Sequence, residues 1–246
     1  MKIDKVYFVS LDLTEEFIED MVSRLTFMSV PNETEWECIS PVNGRTDLVT
    51  IEDRKKLGVT FYKDWNLGYG TFWDRDVTVG EAGCTMSHIR VWLDAYEKGY
   101  DKILVIEEDF NPKVRIDWSK FDVLDRYDYD LLYLGRKRRN DIGAEDLEIG
   151  LDDFVMPGPS FCTQSYIITR KGIEKIITDN LDTLMNNMIV VDEFLTATFS
   201  KHPREDIRKL FARNLFAIST RYEMVGQTRY PFAGNSQTEP IEGIDF

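Results

Sequence analysis

The chain has 246 residues and a mass of 28.7 kDa, enough for one large α/β domain or two small ones with a full hydrophobic core. With 30 Lys plus Arg against 44 Asp plus Glu, the formal charge is −14, which argues against a general binder of nucleic acid, because repulsion opposes a long phosphate backbone. No apolar run approaches the ~20 residues of a membrane-crossing helix, and Met1 to Lys5 lead into an apolar run without the pattern of a secretory signal.

The first predicted element is Val6-Tyr7-Phe8-Val9-Ser10-Leu11, a run of β-formers that reads as a buried strand. Asp12 stands three residues before Glu15, a capping-box spacing, and Phe17, Met21, Val22, Leu25 and Met28 follow at helical intervals until Pro31. Asn32-Glu33-Thr34 is a single glycosylation sequon, of the kind chance supplies. Residues from about 43 to 79 read as irregular, with Trp65, Tyr69 and Trp73 in an aromatic loop that is open to an acceptor chain unless it packs down. Residues 80–98 read as a helix closed by Gly99 at its C-terminal cap. Strands are predicted at 102–106, 130–135 and 165–169, and helices at 171–179 and 191–199; the tail after Gly226 has no clear period. Strands alternating with helices predict an α/β fold with a mostly parallel central sheet and helices on both faces. Ligands of such sheets sit at the carboxyl ends of the strands.

One strand end is chemically distinctive. Ile103-Leu104-Val105-Ile106 is wholly apolar and runs into Glu107-Glu108-Asp109. Alternation along a strand puts Glu107 and Asp109 on one side, where two carboxylates repel unless a divalent cation joins them and bridges onward to a diphosphate. A solvated turn is the competing reading. Gly135-Arg136-Lys137-Arg138-Arg139 concentrates cations after a strand, either as a solvated loop or as a contact to phosphate or to an acidic acceptor. Asp192-Glu193 opens the last predicted helix, favoured there by the helix dipole or placed as a general base among Val191, Phe194 and Leu195. The three cysteines, Cys38, Cys84 and Cys162, have no CxxC or zinc spacing and read as reduced, partly buried thiols. With only His88 and His202, a His-rich zinc site is not expected; His88 reads as a packing residue and His202, beside Pro203, as an exposed helix end. The chain lacks G-x-S-x-G, a P-loop and a G-x-G-x-x-G after Leu11, so hydrolase-elbow and dinucleotide readings lose support.

Taken in order, Val6 to Asp12, Gly80 to His88, Ile103 to Asp109, Leu131 to Arg138, Ser165 to Gly172 and Val191 to Leu195 resemble glycosyltransferase family 25. That family includes lipooligosaccharide galactosyltransferases and procollagen galactosyltransferases. The likeness covers nearly the whole chain, read as one transferase domain over residues 1–246, and is closest to the second transferase-like domain of the collagen branch. It implies a GT-A-like fold and a UDP-sugar donor with Mn2+ at the diphosphate. The family's E-D-D motif matches Glu107-Glu108-Asp109, with Glu108 in place of an aspartate. By the resemblance, Glu107 and Asp109 are metal ligands. Gln227 is a third, standing by spacing from Ser236-Gln237-Thr238-Glu239 where the collagen branch carries a histidine. The same likeness assigns Val9, Ser10, Leu11, Asp12, Glu81, Ser87, His88 and Glu108 to the donor pocket. The arginines that follow Asp12 in the family are replaced by Thr14-Glu15-Glu16.

The expected activity is transfer of galactose or glucose from a UDP-hexose to a hydroxyl, with hydroxylysine or galactosyl-hydroxylysine of a collagen-like polypeptide as acceptor and no nucleic-acid partner. If the anomeric centre inverts, Asp192 is the first choice for the base and Glu193 the second. Two rivals stand beside this: a carbohydrate- or nucleotide-binding module of the same fold without turnover, and a metal-dependent phosphohydrolase, for which no second metal cluster is visible. A lipooligosaccharide-type transferase is a variant of the first reading. The missing leader pattern fits either a cytoplasmic enzyme of a bacterium or virus, or a domain trimmed from a secretory-pathway protein.

Overall fold

The computed structural model describes residues 1–31, 33–68, 73–138 and 146–228. Asn32, Tyr69, Arg139 and the Ser236-Gln237-Thr238-Glu239 reference lie outside the described residues. The elements in chain order are β1 (Lys5–Val9), α1 (Glu15–Phe27), β2 (Glu35–Cys38), α2 (Gly44–Asp47), α3 (Ile51–Lys56), α4 (Val79–Lys98), β3 (Lys102–Glu107) and β4 (Phe110–Pro112). A 3-10 stretch, Trp118–Tyr127, leads to β5 (Leu131–Arg138), β6 (Leu147–Leu151), β7 (Phe154–Met156) and β8 (Ser160–Thr169). Then come α5 (Arg170–Asp179), α6 (Leu181–Asn186), α7 (Val191–Phe199), α8 (Glu205–Leu210), β9 (Ala217–Thr220) and β10 (Val225–Gln227).

The expected α/β layout, a large central sheet with helices on both faces, is present. An eight-stranded sheet runs β2-β1-β3-β8-β5-β9-β7-β6, and β4 pairs with β10 in a separate ribbon. β1, β2, β3, β5, β9 and β6 point one way, while β8 and β7 run against them, so the sheet is mixed with a predominant direction. Side-chain alternation divides the core between the two faces. Tyr7, Val9, Ile103, Val105, Leu131, Tyr133, Tyr166 and Ile168 face one layer, under α4, α5 and α7. Val6, Phe8, Leu104, Ile106, Leu132, Leu134 and Ile167 face the other, under α1 and the 3-10 stretch. Burial on both faces is why these four strands read as apolar runs.

Helix ends follow side-chain chemistry. α4 starts at Thr78 in a reciprocal capping box with Glu81 and stops at Gly99, whose φ of 77° is the left-handed conformation a cap needs. The box expected between Asp12 and Glu15 does not form. Thr14 caps α1 instead, accepting from the Phe17 amide at 3.4 Å, while Asp12 Oδ1 accepts from the Thr14 amide and turns the loop. The stretch expected to be irregular contains α2 and α3, and the α2 backbone packs so tightly on α4 that a Cβ on Gly83 would meet the Gly44 nitrogen at 2.5 Å. Trp65 and Trp73 are buried under the Arg204 guanidinium rather than turned to an acceptor, with Arg204 5.0 Å from the Trp65 ring centroid. No helix among the described residues is long and apolar enough to cross a membrane.

Candidate active site

The carboxyl end of β3 lies between β1 and β8, so its three acids are flanked by residues of both neighbours. Glu107 Oε1 accepts from the Thr163 hydroxyl of β8 and faces His88 Nε2 of α4 at 3.0 Å. Glu108 is turned to β1 and accepts from Ser10 Oγ at 2.9 Å. Burial raises its pKa, with a smaller push from Glu107 and Asp12. Asp109 follows in the turn to β4. Burial foremost, then the charges of Glu107 and Glu108, lift its carboxyl to about 7. Its Oδ1 is buried without a hydrogen-bond partner among the described residues. A half-buried carboxylate crowded by two others and left with an open lone pair is a site short of positive charge.

Asp192 sits in the first turn of α7, where its Oδ1 accepts from the Glu193 amide at 2.7 Å and its Oδ2 from the Cys162 amide at 3.0 Å. Burial, then Glu193 and more weakly Glu107, raise it to about 7. The Cys162 backbone it holds has φ 68°, a conformation unfavourable for a non-glycine residue, so this hydrogen bond fixes a strained point of β8. Glu193 does not share the position of its neighbour. It is 1% exposed and bound to His202 Nε2 at 2.5 Å inside the α7 packing, which removes it from any acceptor. His202 is likewise wholly buried, not the exposed helix end expected, because Glu193 supplies its partner and Trp73 its ring contact.

The expected donor-pocket residues divide. Ser10 is buried and locks Glu108 and the Asp12 backbone; Val9 is a core residue; Leu11 is half-buried and Asp12 exposed at the strand end. Glu81 is committed to the Thr78 cap and to both guanidinium nitrogens of Arg75. Ser87 is fully buried, donating to the Gly83 carbonyl and accepting from the Val42 amide, so it fastens α4 rather than facing a ligand. His88 is fully buried too. Its Nδ1 meets Tyr166 Oη at 2.8 Å, and Tyr166 Oη also accepts from Trp92 Nε1 at 3.0 Å. His88 therefore orients Glu107 from behind. Thr163 and Tyr166 carry no local signal in the sequence; they join the site through strand pairing.

A cleft of about 580 Å³ opens between β5, β8 and the 219–227 segment, with Cys162, whose amide Asp192 holds, on its wall. Gly135 creates the approach: a Cβ there would sit 1.7 Å from the Val225 carbonyl, so only glycine lets β10 cross β5. That crossing brings the exposed Gln227 to the cleft, next to Thr228, whose amide donates to the Asp109 carbonyl at 2.8 Å. The cationic run divides by burial. Arg136 is buried and spans Asp146, Ser160 and Ser219 as a strut. Lys137 and Arg138 line the cleft; Arg138 shares Asp146, and Lys137 has no ion-pair partner among the described residues.

Residues 51–150 match the model of Glycosyltransferase family 25 (LPS biosynthesis protein). The chain is 31% identical over 243 residues to a rat protein named probable inactive glycosyltransferase 25 family member 3, covering 96% of this chain and 40% of that protein. It is 28% identical to procollagen galactosyltransferase 1-A of Xenopus laevis, over 94% of this chain and 37% of the relative. Human procollagen galactosyltransferase 2 is 25% identical, over 94% and 36%. The chain thus spans about two fifths of the length of these relatives.

Proposed function

The chain is a relative of glycosyltransferase family 25, and from that premise we propose that it transfers galactose or glucose from a UDP-hexose to a hydroxyl acceptor. The acceptor is hydroxylysine or galactosyl-hydroxylysine of a collagen-like polypeptide. The observation that carries the reading is the half-buried, mutually repelling pair Glu107 and Asp109 at the end of a central strand, with Asp109 Oδ1 unpartnered among the described residues. Such a pair fits a hard divalent cation such as Mn2+, with Gln227 beside it. When bound, that ion would neutralise charge growing on the leaving diphosphate.

The chain's own residues do the remaining work. His88 and Thr163 fix the Glu107 carboxylate, and Ser10 fixes Glu108. Lys137 and Arg138 offer cationic contacts to phosphate across the cleft. Asp192, its carboxyl lifted to about 7, takes the acceptor hydroxyl proton in its ionised form when the anomeric centre inverts.

A second reading has its own support. Relatives carry the word inactive in their names, and Thr14-Glu15-Glu16 stands where the family has arginines, which favours a nucleotide- or sugar-binding domain without turnover. Release of UDP from UDP-galactose and UDP-glucose is the test, run with Mn2+ and with or without a hydroxylysine peptide. Acceptor-dependent release that disappears in Asp109→Ala supports transfer. Release unchanged in that variant overturns the metal-site assignment, and UDP-sugar binding without release supports the second reading.

A further inference from the structure

Where α4 meets the acidic end of β3, three different donor types converge. Cys84 and His88 are one helical turn apart on α4, so their side chains share a face, and that face meets the end of β3 at Glu107. The sulfur, an imidazole nitrogen and a carboxylate oxygen of these residues all lie within 4.8 Å of one another. We propose that Cys84, His88 and Glu107 form a binding site for a soft or borderline divalent cation, Zn2+ foremost, distinct from the hard-metal site read at Glu107 and Asp109.

The donor set decides the metal class. Thiolate and imidazole favour Zn2+ and its neighbours over Mn2+ or Mg2+, which seek oxygen. The ligands of a tetrahedral zinc lie about 3.3–3.7 Å apart, given Zn–S near 2.3 Å and Zn–N or Zn–O near 2.0–2.1 Å, so closure needs shifts of about 1 Å. His88 Nε2 and Glu107 Oε1 are already at 3.0 Å. The surrounding contacts are those a metal site uses to orient its ligands. Tyr166 Oη holds His88 Nδ1, leaving Nε2 aimed at the centre, and Thr163 holds Glu107. His88 is wholly buried, whereas Cys84 and Glu107 are only partly so, which gives the ion a way in and a fourth position for water.

Proton balance is explicit. On binding, Cys84 gives up its thiol proton to solvent and His88 presents an unprotonated Nε2 to the ion, with its ring proton on Nδ1 facing Tyr166 Oη. About one proton is released per ion. Because Glu107 is shared, filling this site draws it away from Asp109, so Zn2+ acts against any Mn2+ function rather than replacing it.

Cobalt titration of the whole chain tests the site without reference to transfer. Co2+ should bind one equivalent with a sulfur-to-metal charge-transfer band in the near ultraviolet and the visible bands of a four-coordinate ion, both displaced by Zn2+. Cys84→Ser should abolish the charge-transfer band and weaken Co2+ binding by about tenfold or more, while Cys38→Ser and Cys162→Ser keep the band. If Cys84→Ser does not fold, the wild-type chain still decides: Zn2+ should slow modification of one of its three thiols by a thiol reagent and release about one proton per ion. Octahedral, sulfur-free cobalt spectra, or thiol reactivity indifferent to Zn2+, overturn the proposal. A failed sugar-transfer assay leaves these readouts untouched, so the two readings fail separately.

Discussion

At the scale of single residues, the site consists of carboxyl groups kept against their preference. Asp109 is lifted to about 7 by burial and by its two acidic neighbours, and an aspartate in an unfolded chain titrates near 3.8. The sign follows. Between those values Asp109 binds more proton in the folded chain than in the unfolded one, so its own contribution to stability is fully present below pH ~4 and is lost as pH rises through about 7. One unit of pKa difference is worth about 1.4 kcal/mol. Asp109→Asn should therefore raise unfolding stability at pH 8 by about 1–3 kcal/mol, less than the full shift because the group is coupled and partly solvated. Urea denaturation of both forms at pH 8 and pH 4 checks this; the gain should shrink towards the acid end. Mn2+ should stabilise the wild-type chain more than the variant, because only the wild type keeps both proposed ligand carboxylates, Glu107 and Asp109. A variant less stable at pH 8 would mean that Asp109 is satisfied in a way the unpartnered Oδ1 does not reveal.

At the scale of elements, what the sequence discloses depends on whether an element's stabilisation is local. β1, β3, β5 and β8 are legible because burial on both faces forces unbroken apolar runs, and α4 because Thr78, Glu81 and Gly99 mark its ends within one stretch of chain. β2, β7 and β9 are three or four residues each and owe their existence to pairing with distant strands, so no local pattern announces them. The acids of β3 were readable for the same reason as the strand. Of their orienting partners, Thr163 lies in the polar amino-terminal half of β8, and Tyr166, inside the predicted strand, reaches His88 only through the tertiary pairing of β8 with β3. Gly135 gives this scale its prediction. It stands where the β5–β8 register shifts and where the Val225 carbonyl presses against the strand. Gly135→Ala puts a methyl group into that carbonyl, so β10 must move outward. Overpacking of this kind costs about 1–3 kcal/mol. Thermal unfolding should show that loss. Nucleotide affinity should fall with it, because Gln227 and the wall of the cleft ride on β10. Unaltered affinity in a destabilised variant would detach β10 from the ligand site.

At the scale of the whole molecule, a chain of formal charge −14 is proposed to hold a nucleotide diphosphate, itself an anion. The long-range field opposes the encounter, and charges farther apart than a Debye length of about 8 Å are screened at physiological salt. Binding is therefore decided by what lies within that radius. The cleft wall carries Lys137, Arg138 and Arg221 together with Cys162, whose amide donates to Asp192, and Gln227. Arg221 is occupied by Glu148, and Arg138 shares Asp146 with Arg136, so Lys137 is the lysine of this wall whose charge is not already answered among the described residues. A charge-assisted contact to phosphate is worth about 1.5–3 kcal/mol. Lys137→Ala should weaken UDP binding by about tenfold or more, while Arg136→Ala, which removes a buried strut from Asp146, Ser160 and Ser219, should act first on stability. Calorimetric UDP titrations at low and moderate salt, with and without Mn2+, separate the contributions. The lysine effect should persist in both metal conditions and shrink with added salt. Equal UDP affinity in wild type and Lys137→Ala would place the diphosphate outside this cleft, and the charge argument would then have to be rebuilt around Arg24, whose guanidinium lies on the other side of Asp109 at the Phe110 carbonyl.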